Sequence, residues 1–130
     1  MNPLIRFFSK SEIIRHIKSF QFAIKGLKIF FSTQINAFIE VLATFFIIVA
    51  GIYFNLSLYE WALVIIAIGI VFIAEIFNTS IEFLTDLVSP QYNETAGKVK
   101  DIAAAGVLVA AIVALVLGLI VFVPKLSNAF

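Results

Sequence analysis

The chain has 130 residues, of which 62% are hydrophobic and only 13% are charged, against roughly 25% charged residues in an ordinary soluble domain. This composition excludes intrinsic disorder, and it disfavours a soluble globule because a small chain must cover a large surface with polar groups. The net charge of +1 gives no general case for nucleic-acid binding, and the absence of cysteine excludes disulfides and thiolate chemistry. The sequence therefore predicts a small integral membrane protein with one structural unit.

Four helical segments follow one another along the chain. Residues 9–32 carry Ile and Phe at spacings of three and four, with Arg and Lys on the other side, which is typical of an amphipathic helix on a membrane surface. Three apolar stretches, residues 36–54, 59–87 and 98–123, are predicted to span the membrane, since a span requires about 20 mostly apolar residues. Ser57 and Glu60 form a capping-box pattern at the second span. The predicted fold class is an all-α integral membrane protein, a single domain over residues 1–130.

The basic residues are distributed unevenly along the chain. Six of the nine precede the first span, and Lys98 and Lys100 lie near the start of the third. The connection between the first two spans has none, and Lys125 alone follows the last span. Cytoplasmic loops of membrane proteins carry the excess of Lys and Arg. The N-terminus is therefore predicted to be cytoplasmic and the C-terminus external.

One polar stripe runs along the second span. Glu75, Asn78, Glu82 and Asp86 are spaced by three, four and four residues, so that they share one face of a helix over about 16 Å. Ionisable groups inside a membrane are costly and are candidates for a functional site. Carboxylates on one face can hold Mg²⁺, or one of them can act as a general base. A helix-packing stripe, with Asn78 and Thr79 hydrogen-bonding to other helices, is the alternative.

A second polar group lies at the start of the third span. Lys100 beside the carboxylate stripe indicates an anionic ligand such as phosphate. Taken alone, Lys100 and Asp101 are better explained as a membrane anchor and a first-turn acid favoured by the helix dipole. Three spans and one surface helix make a thin bundle, which predicts a homo-oligomer. Below Lys100 and Asp101 lies a surface of small residues that allows close helix packing. These are Ala103, Ala104, Ala105, Gly106, Ala110, Ala111, Ala114 and Gly118.

The sequence resembles the prokaryotic diacylglycerol kinase family, small three-span membrane enzymes that include undecaprenol kinases. Three stretches between about residues 15 and 123 carry the resemblance: EIFNTSIEFLTD at residues 75–86, SPQYNETAGKVKDIAAAGV at residues 89–107, and Lys25–Gly26–Leu27. The resemblance implies an ATP- and Mg²⁺-dependent lipid kinase, a homotrimer with composite active sites in the bacterial cytoplasmic (inner) membrane. The implied substrate is undecaprenol or diacylglycerol, phosphorylated at the cytoplasmic face.

The resemblance also assigns roles to individual residues. Glu75 would be the catalytic base and would contact the lipid together with Asn78 and Ala104. Glu82 would bind the Mg²⁺ that bridges the ATP phosphates. The implied nucleotide-binding residues are Arg15, Glu82, Gln91, Tyr92, Asn93, Lys100 and Asp101.

The sequence departs from the family pattern at two positions, and two alternative functions stay open. Gln34 stands where the family has a second metal-binding glutamate, and a neutral amide should hold Mg²⁺ less tightly. A catalytically impaired member acting as a membrane assembly subunit is therefore one alternative. Asn93 stands where the family often has histidine. The other alternative is a small ion-coupled transporter or channel with Glu75 and Glu82 as relay, although inverted repeats and broken helices are not apparent.

Overall fold

The computed structural model describes residues 10–91 and 93–127. Within them the chain forms four helices: α1 (Lys10–Thr33), α2 (Ile35–Tyr53), α3 (Leu58–Val88) and α4 (Glu94–Ser127). The all-α class is confirmed. Helices α2 and α3 begin and end within one residue of the predicted bounds. Helix α1 ends one residue later than predicted, and its predicted first residue, Ser9, lies outside the described residues.

Three of these helices can cross a membrane. By length and apolar composition α2, α3 and α4 all qualify as spans, which confirms the predicted number. The chain divides into two compact units, one containing α1 and the other containing the apolar helices from Asn36 onward. The position of α1 on a membrane surface stays a prediction.

Helix α4 is longer than predicted at both ends. It begins at Glu94 instead of residue 98, because the Asn93 side-chain oxygen accepts hydrogen bonds from the backbone N–H groups of Thr95 at 2.8 Å and Ala96 at 3.3 Å. Asparagine is a favoured residue at this capping position. At the other end α4 continues past Pro124 to Ser127. Only the last turn follows Pro124, and the Ser127 hydroxyl donates to the Pro124 carbonyl at 3.0 Å.

A tight turn reverses the chain between α2 and α3. The backbone N–H of Asn55 donates to the Ile52 carbonyl, and that of Leu56 donates to the Gly51 carbonyl, both at 3.1 Å. This pair of bonds closes the end of α2 in the Schellman pattern. Asn55 has φ 49°, in the left-handed region that asparagine tolerates better than most residues.

The capping box at the start of α3 is confirmed. The backbone N–H of Ser57 donates to the Glu60 carboxylate at 2.6 Å, and the Glu60 N–H donates to the Ser57 hydroxyl at 3.4 Å. Glu60 also forms a salt bridge with Lys125 at 3.0 Å. Glu60 thus joins the first turn of α3 to the last turn of α4.

A small apolar core lies at the same end of α2–α4. Leu56, Val64 and Val121 are buried there, and Trp61 packs against them. Gly51 allows this packing, because a Cβ atom at that position would lie 2.6 Å from the Trp61 ring. The turn and the core therefore fix α2 beside α3 at this end.

Candidate active site

The polar stripe of α3 becomes less buried towards the end of the helix. Glu75 and Asn78 are buried, with 6% and 8% of their surface exposed. Glu82 is half-buried and Asp86 is exposed. Because α3 is continuous from Leu58 to Val88, all four side chains share one helical face. The stripe therefore leads from an interior carboxylate to a carboxylate that solutes can reach.

Glu75 is held by a residue that the sequence did not assign to the site. The amide of Asn36, at the start of α2, donates to Glu75 Oε1 at 3.0 Å. Glu40 lies one turn further along α2, and its Oε2 atom is buried with no hydrogen-bond partner among the described residues. A four-residue spacing of polar side chains inside an apolar span was the signal available in the sequence.

Asn78 and Glu82 form a second pair on α3. Asn78 Nδ2 donates to Glu82 Oε1 at 3.0 Å within the same helix. Asn78 Oδ1 and Thr79 Oγ1 are buried and have no partner within the described part of the chain. Among the described residues, these two oxygens therefore make none of the hydrogen bonds to other helices that the helix-packing alternative requires. The Glu82 carboxylate and the unpaired amide oxygen of Asn78 therefore lie side by side.

These oxygens suit a hard divalent cation. No group of three or more acidic or histidine side chains close enough to hold a metal occurs within residues 10–91 and 93–127. Mg²⁺ does not require such a group, since it is commonly bound by one or two carboxylates together with substrate phosphates. The half-buried Glu82 and the unpaired oxygen of Asn78 fit that chemistry.

Lys100 lies at the accessible end of the stripe. Its ammonium group contacts Asp86 Oδ1 at 2.5 Å and so joins the first turns of α4 to the last turns of α3. The side chains keep 38% and 63% of their surface exposed, so a dissolved anion can reach the lysine. Asp101, next in the chain, is exposed. This arrangement can exchange a carboxylate partner for a phosphate.

A groove beside Asn78 runs between α3 and α4. It encloses about 410 Å³, and Asn78 is its one polar lining side chain. Ala103 and Gly106, from the small-residue surface, form part of its wall, whereas Ala104 does not line it and is exposed. The remaining lining residues are Ala74, Phe77, Ile81, Val99 and Ile102. An apolar groove ending at a polar group is suited to a lipid chain with a polar head.

Three of the proposed nucleotide-binding residues lie in the short connection between α3 and α4. Gln91 is exposed, and its carbonyl accepts a hydrogen bond from the Ser89 hydroxyl at 3.2 Å. The Asn93 side chain caps α4, so its oxygen is already engaged. Tyr92 lies outside the described residues. The nucleotide contacts of all three stay predictions.

Arg15 and Gln34 belong to the unit that contains α1. Arg15 forms a salt bridge with Glu12 at 2.5 Å on the same helix. Gln34 follows the last residue of α1, and its backbone N–H donates to the Phe30 carbonyl at 3.1 Å. Their assignments to ATP and to the metal therefore rest on sequence resemblance alone.

Comparison with known proteins identifies the family. Residues 21–122 match the family model described as prokaryotic diacylglycerol kinase. The chain belongs to the prokaryotic diacylglycerol kinase family. As a member of this family it is a lipid kinase, and the resemblance stated from the sequence is confirmed.

Three relatives illustrate the range of this family. The chain is 33% identical to an undecaprenol kinase of Bacillus subtilis over 117 residues, covering 90% of this chain and 95% of the relative. It is 30% identical to a diacylglycerol kinase of Escherichia coli over 102 residues, covering 78% and 84%. A diacylglycerol kinase of Synechocystis is 35% identical over 111 residues, covering 85% of this chain and 63% of the relative.

Proposed function

We propose that this lipid kinase transfers the γ-phosphoryl group of ATP to the hydroxyl of undecaprenol at the cytoplasmic face of a bacterial inner membrane. The observation that carries the proposal is a carboxylate, Glu75, buried within a membrane-spanning helix and held by a neutral amide. Undecaprenol is preferred over diacylglycerol because the Bacillus undecaprenol kinase matches over nearly its whole length.

Glu75 is the general base in this mechanism. It takes the proton of the lipid hydroxyl as the hydroxyl oxygen attacks the γ-phosphorus, and the bond to the β,γ-bridging oxygen breaks to release ADP. Phosphoryl transfer needs chiefly positioning and electrostatic stabilisation of the phosphates. The apolar groove beside Asn78 suits an alcohol that enters sideways from the bilayer.

The polar groups beyond Glu75 hold the nucleotide. Lys100 exchanges Asp86 for an ATP phosphate, which its accessible position supports. Glu82 and the unpaired Asn78 oxygen would hold Mg²⁺, and the family pattern suggests Gln34 as a further ligand. Bound there, Mg²⁺ would neutralise charge on the phosphates.

The membrane arrangement follows from charge and exposure. Eight of the nine basic residues lie on the N-terminal side and near the start of α4, which favours a cytoplasmic site with access to ATP. On α1, Ile13, Ile17 and Phe20 are exposed, as expected for a helix in the membrane interface. Exposed apolar side chains also cover α2–α4, and the small-residue surface of α4 supports close packing of three copies.

The experiment uses purified protein with labelled ATP, Mg²⁺ and a panel of lipid alcohols. We expect label transfer to undecaprenol, and Glu75→Gln should reduce turnover by about 10²- to 10⁴-fold, the usual contribution of a general base. Ser80→Ala is the matched control, because among the described residues the exposed Ser80 hydroxyl bonds only to the Ile76 carbonyl of its own helix. Transfer to diacylglycerol alone would mean that diacylglycerol, and not undecaprenol, is the substrate. Transfer to none of the lipids would refute the kinase proposal.

A further inference from the structure

We propose that Asn36 is a positioning residue for Glu75, holding one carboxylate oxygen so that the other faces the lipid hydroxyl. This inference rests on the proposed function, in which Glu75 is the base. It adds a residue of α2 to the candidate site.

The first observation is the contact itself. The Asn36 amide reaches Glu75 Oε1 from another helix at 3.0 Å, in a partly buried setting. Glu75 keeps only 6% of its surface exposed, so bulk water contributes little to its solvation. A buried polar group needs such a partner, and a carboxylate in an apolar setting needs it most.

The second observation is the absence of a competing positive charge. No salt bridge to Glu75 is present within residues 10–91 and 93–127. The neighbouring polar side chain on the same face of α2 is Glu40, which is itself an acid with one buried oxygen unpartnered. A neutral amide donor orients Glu75 without placing a positive charge beside the carboxylate.

The third point concerns the direction in which the Glu75 carboxylate oxygens face. A carboxylate carries two oxygens, and the hydrogen bond at Oε1 fixes the rotation of the group, which sets the direction of Oε2. Proton transfer requires the accepting oxygen within hydrogen-bond reach of the donor hydroxyl. A carboxylate that rotates freely places an oxygen within reach of the hydroxyl for a smaller fraction of the time. Loss of Asn36 should therefore lower the rate of the chemical step and leave substrate binding unchanged.

The experiment compares Asn36→Ala, Asn36→Asp and Asn36→Gln with wild type under varied lipid and varied ATP. Asn36→Ala and the nearly isosteric Asn36→Asp should each lower kcat roughly 10- to 100-fold, the loss expected for one hydrogen bond to a charged group. KM for ATP and for the lipid should change less than about twofold in both variants, since the proposed role of the amide is its bond to Glu75 and not to a substrate. Asn36→Gln retains a donor and should recover part of the rate. Ser80→Ala is again the control.

A double variant separates positioning from packing. In single-turnover measurements, Asn36→Ala should add no further loss to Glu75→Gln, because the two residues act as one unit. If the losses multiply, or if kcat per assembled protein stays at the wild-type value while only thermal stability falls, the proposal is overturned. If Asn36→Ala does not assemble, the same kcat and stability measurements on the nearly isosteric Asn36→Asp test the proposal. An inactive wild type would refute the kinase proposal itself.

Discussion

Gly51→Ala should loosen the end of the helix pair that the α2–α3 turn closes. A Cβ atom on residue 51 would lie 2.6 and 2.9 Å from two atoms of the Trp61 ring and 3.1 Å from Leu56. Ordinary carbon–carbon contacts are about 3.5–4.0 Å, so the ring must move by roughly 1 Å. Trp61 is half-buried and packs against the cluster of Leu56, Val64 and Val121, so a movement of its ring disturbs that cluster.

The size of the effect follows from two opposing contributions. Overpacking of a filled core costs about 1–3 kcal/mol. Replacing glycine by alanine inside a helix returns up to about 1 kcal/mol. Gly69→Ala is the matched control, since a Cβ on Gly69 meets no atom within 4 Å and carries the same helix-propensity gain. The unfolding free energies of the two variants should therefore differ by about 1–3 kcal/mol, with Gly51→Ala the less stable.

The assay is unfolding of the detergent-solubilised protein followed by intrinsic fluorescence. Trp61 is the only tryptophan in the chain, so its emission reports directly on the contact that is altered. The emission of Gly51→Ala should change before any unfolding, whereas that of Gly69→Ala should not. Equal stability of the two variants with unchanged emission would show that Trp61 does not pack against Gly51.

Three further predictions concern the site and its orientation. Glu82→Gln should raise the Mg²⁺ concentration needed for half-maximal turnover, and an unchanged magnesium titration would remove Glu82 from the metal site. Asp86→Asn should lower KM for ATP by up to about fivefold by releasing its lysine partner, whereas Glu94→Gln, which breaks an exposed pair within α4, should leave KM unchanged. A rise in KM would mean that Asp86 assists ATP binding. Cysteines at Tyr92 and Ser57 should react with impermeant reagents from the cytoplasmic and external sides respectively, and the reverse pattern would contradict the proposed orientation.

The bounds of α2 and α3 could be predicted because local signals mark them. A long apolar run defines each helix, and the capping box places the start of α3. The start of α4 could not be placed as well. Asn93 is both a plausible ligand and a helix cap, and only the backbone hydrogen bonds to its side chain show that it caps.

The site residues also differ in whether their spacing in the sequence is enough to predict that they lie together. Glu75, Asn78 and Glu82 belong to one helix, so their spacing alone puts them on one face. Asn36 could not be connected to Glu75, because the two are separated by 39 residues and meet only when α2 folds back on α3. The pairing of Asn78 with Glu82 was within reach of the sequence, since amide and acid side chains four residues apart contact on a helix.

The turn at Asn55 also determines which residues of α2 lie opposite which residues of α3. Asn36 lies 17 residues before the end of α2 at Tyr53, and Glu75 lies 17 residues after the start of α3 at Leu58, or roughly 26 Å along each helix. The two arms are thus equal in length, and their far ends meet in the Asn36–Glu75 hydrogen bond. One residue inserted within α3, between Leu58 and Glu75, would move Glu75 by about 1.5 Å along the helix and rotate it by about 100°, which would carry it away from its partner. The number of helical residues between the turn and Glu75 is therefore a constraint on chemistry at the far end of the helix.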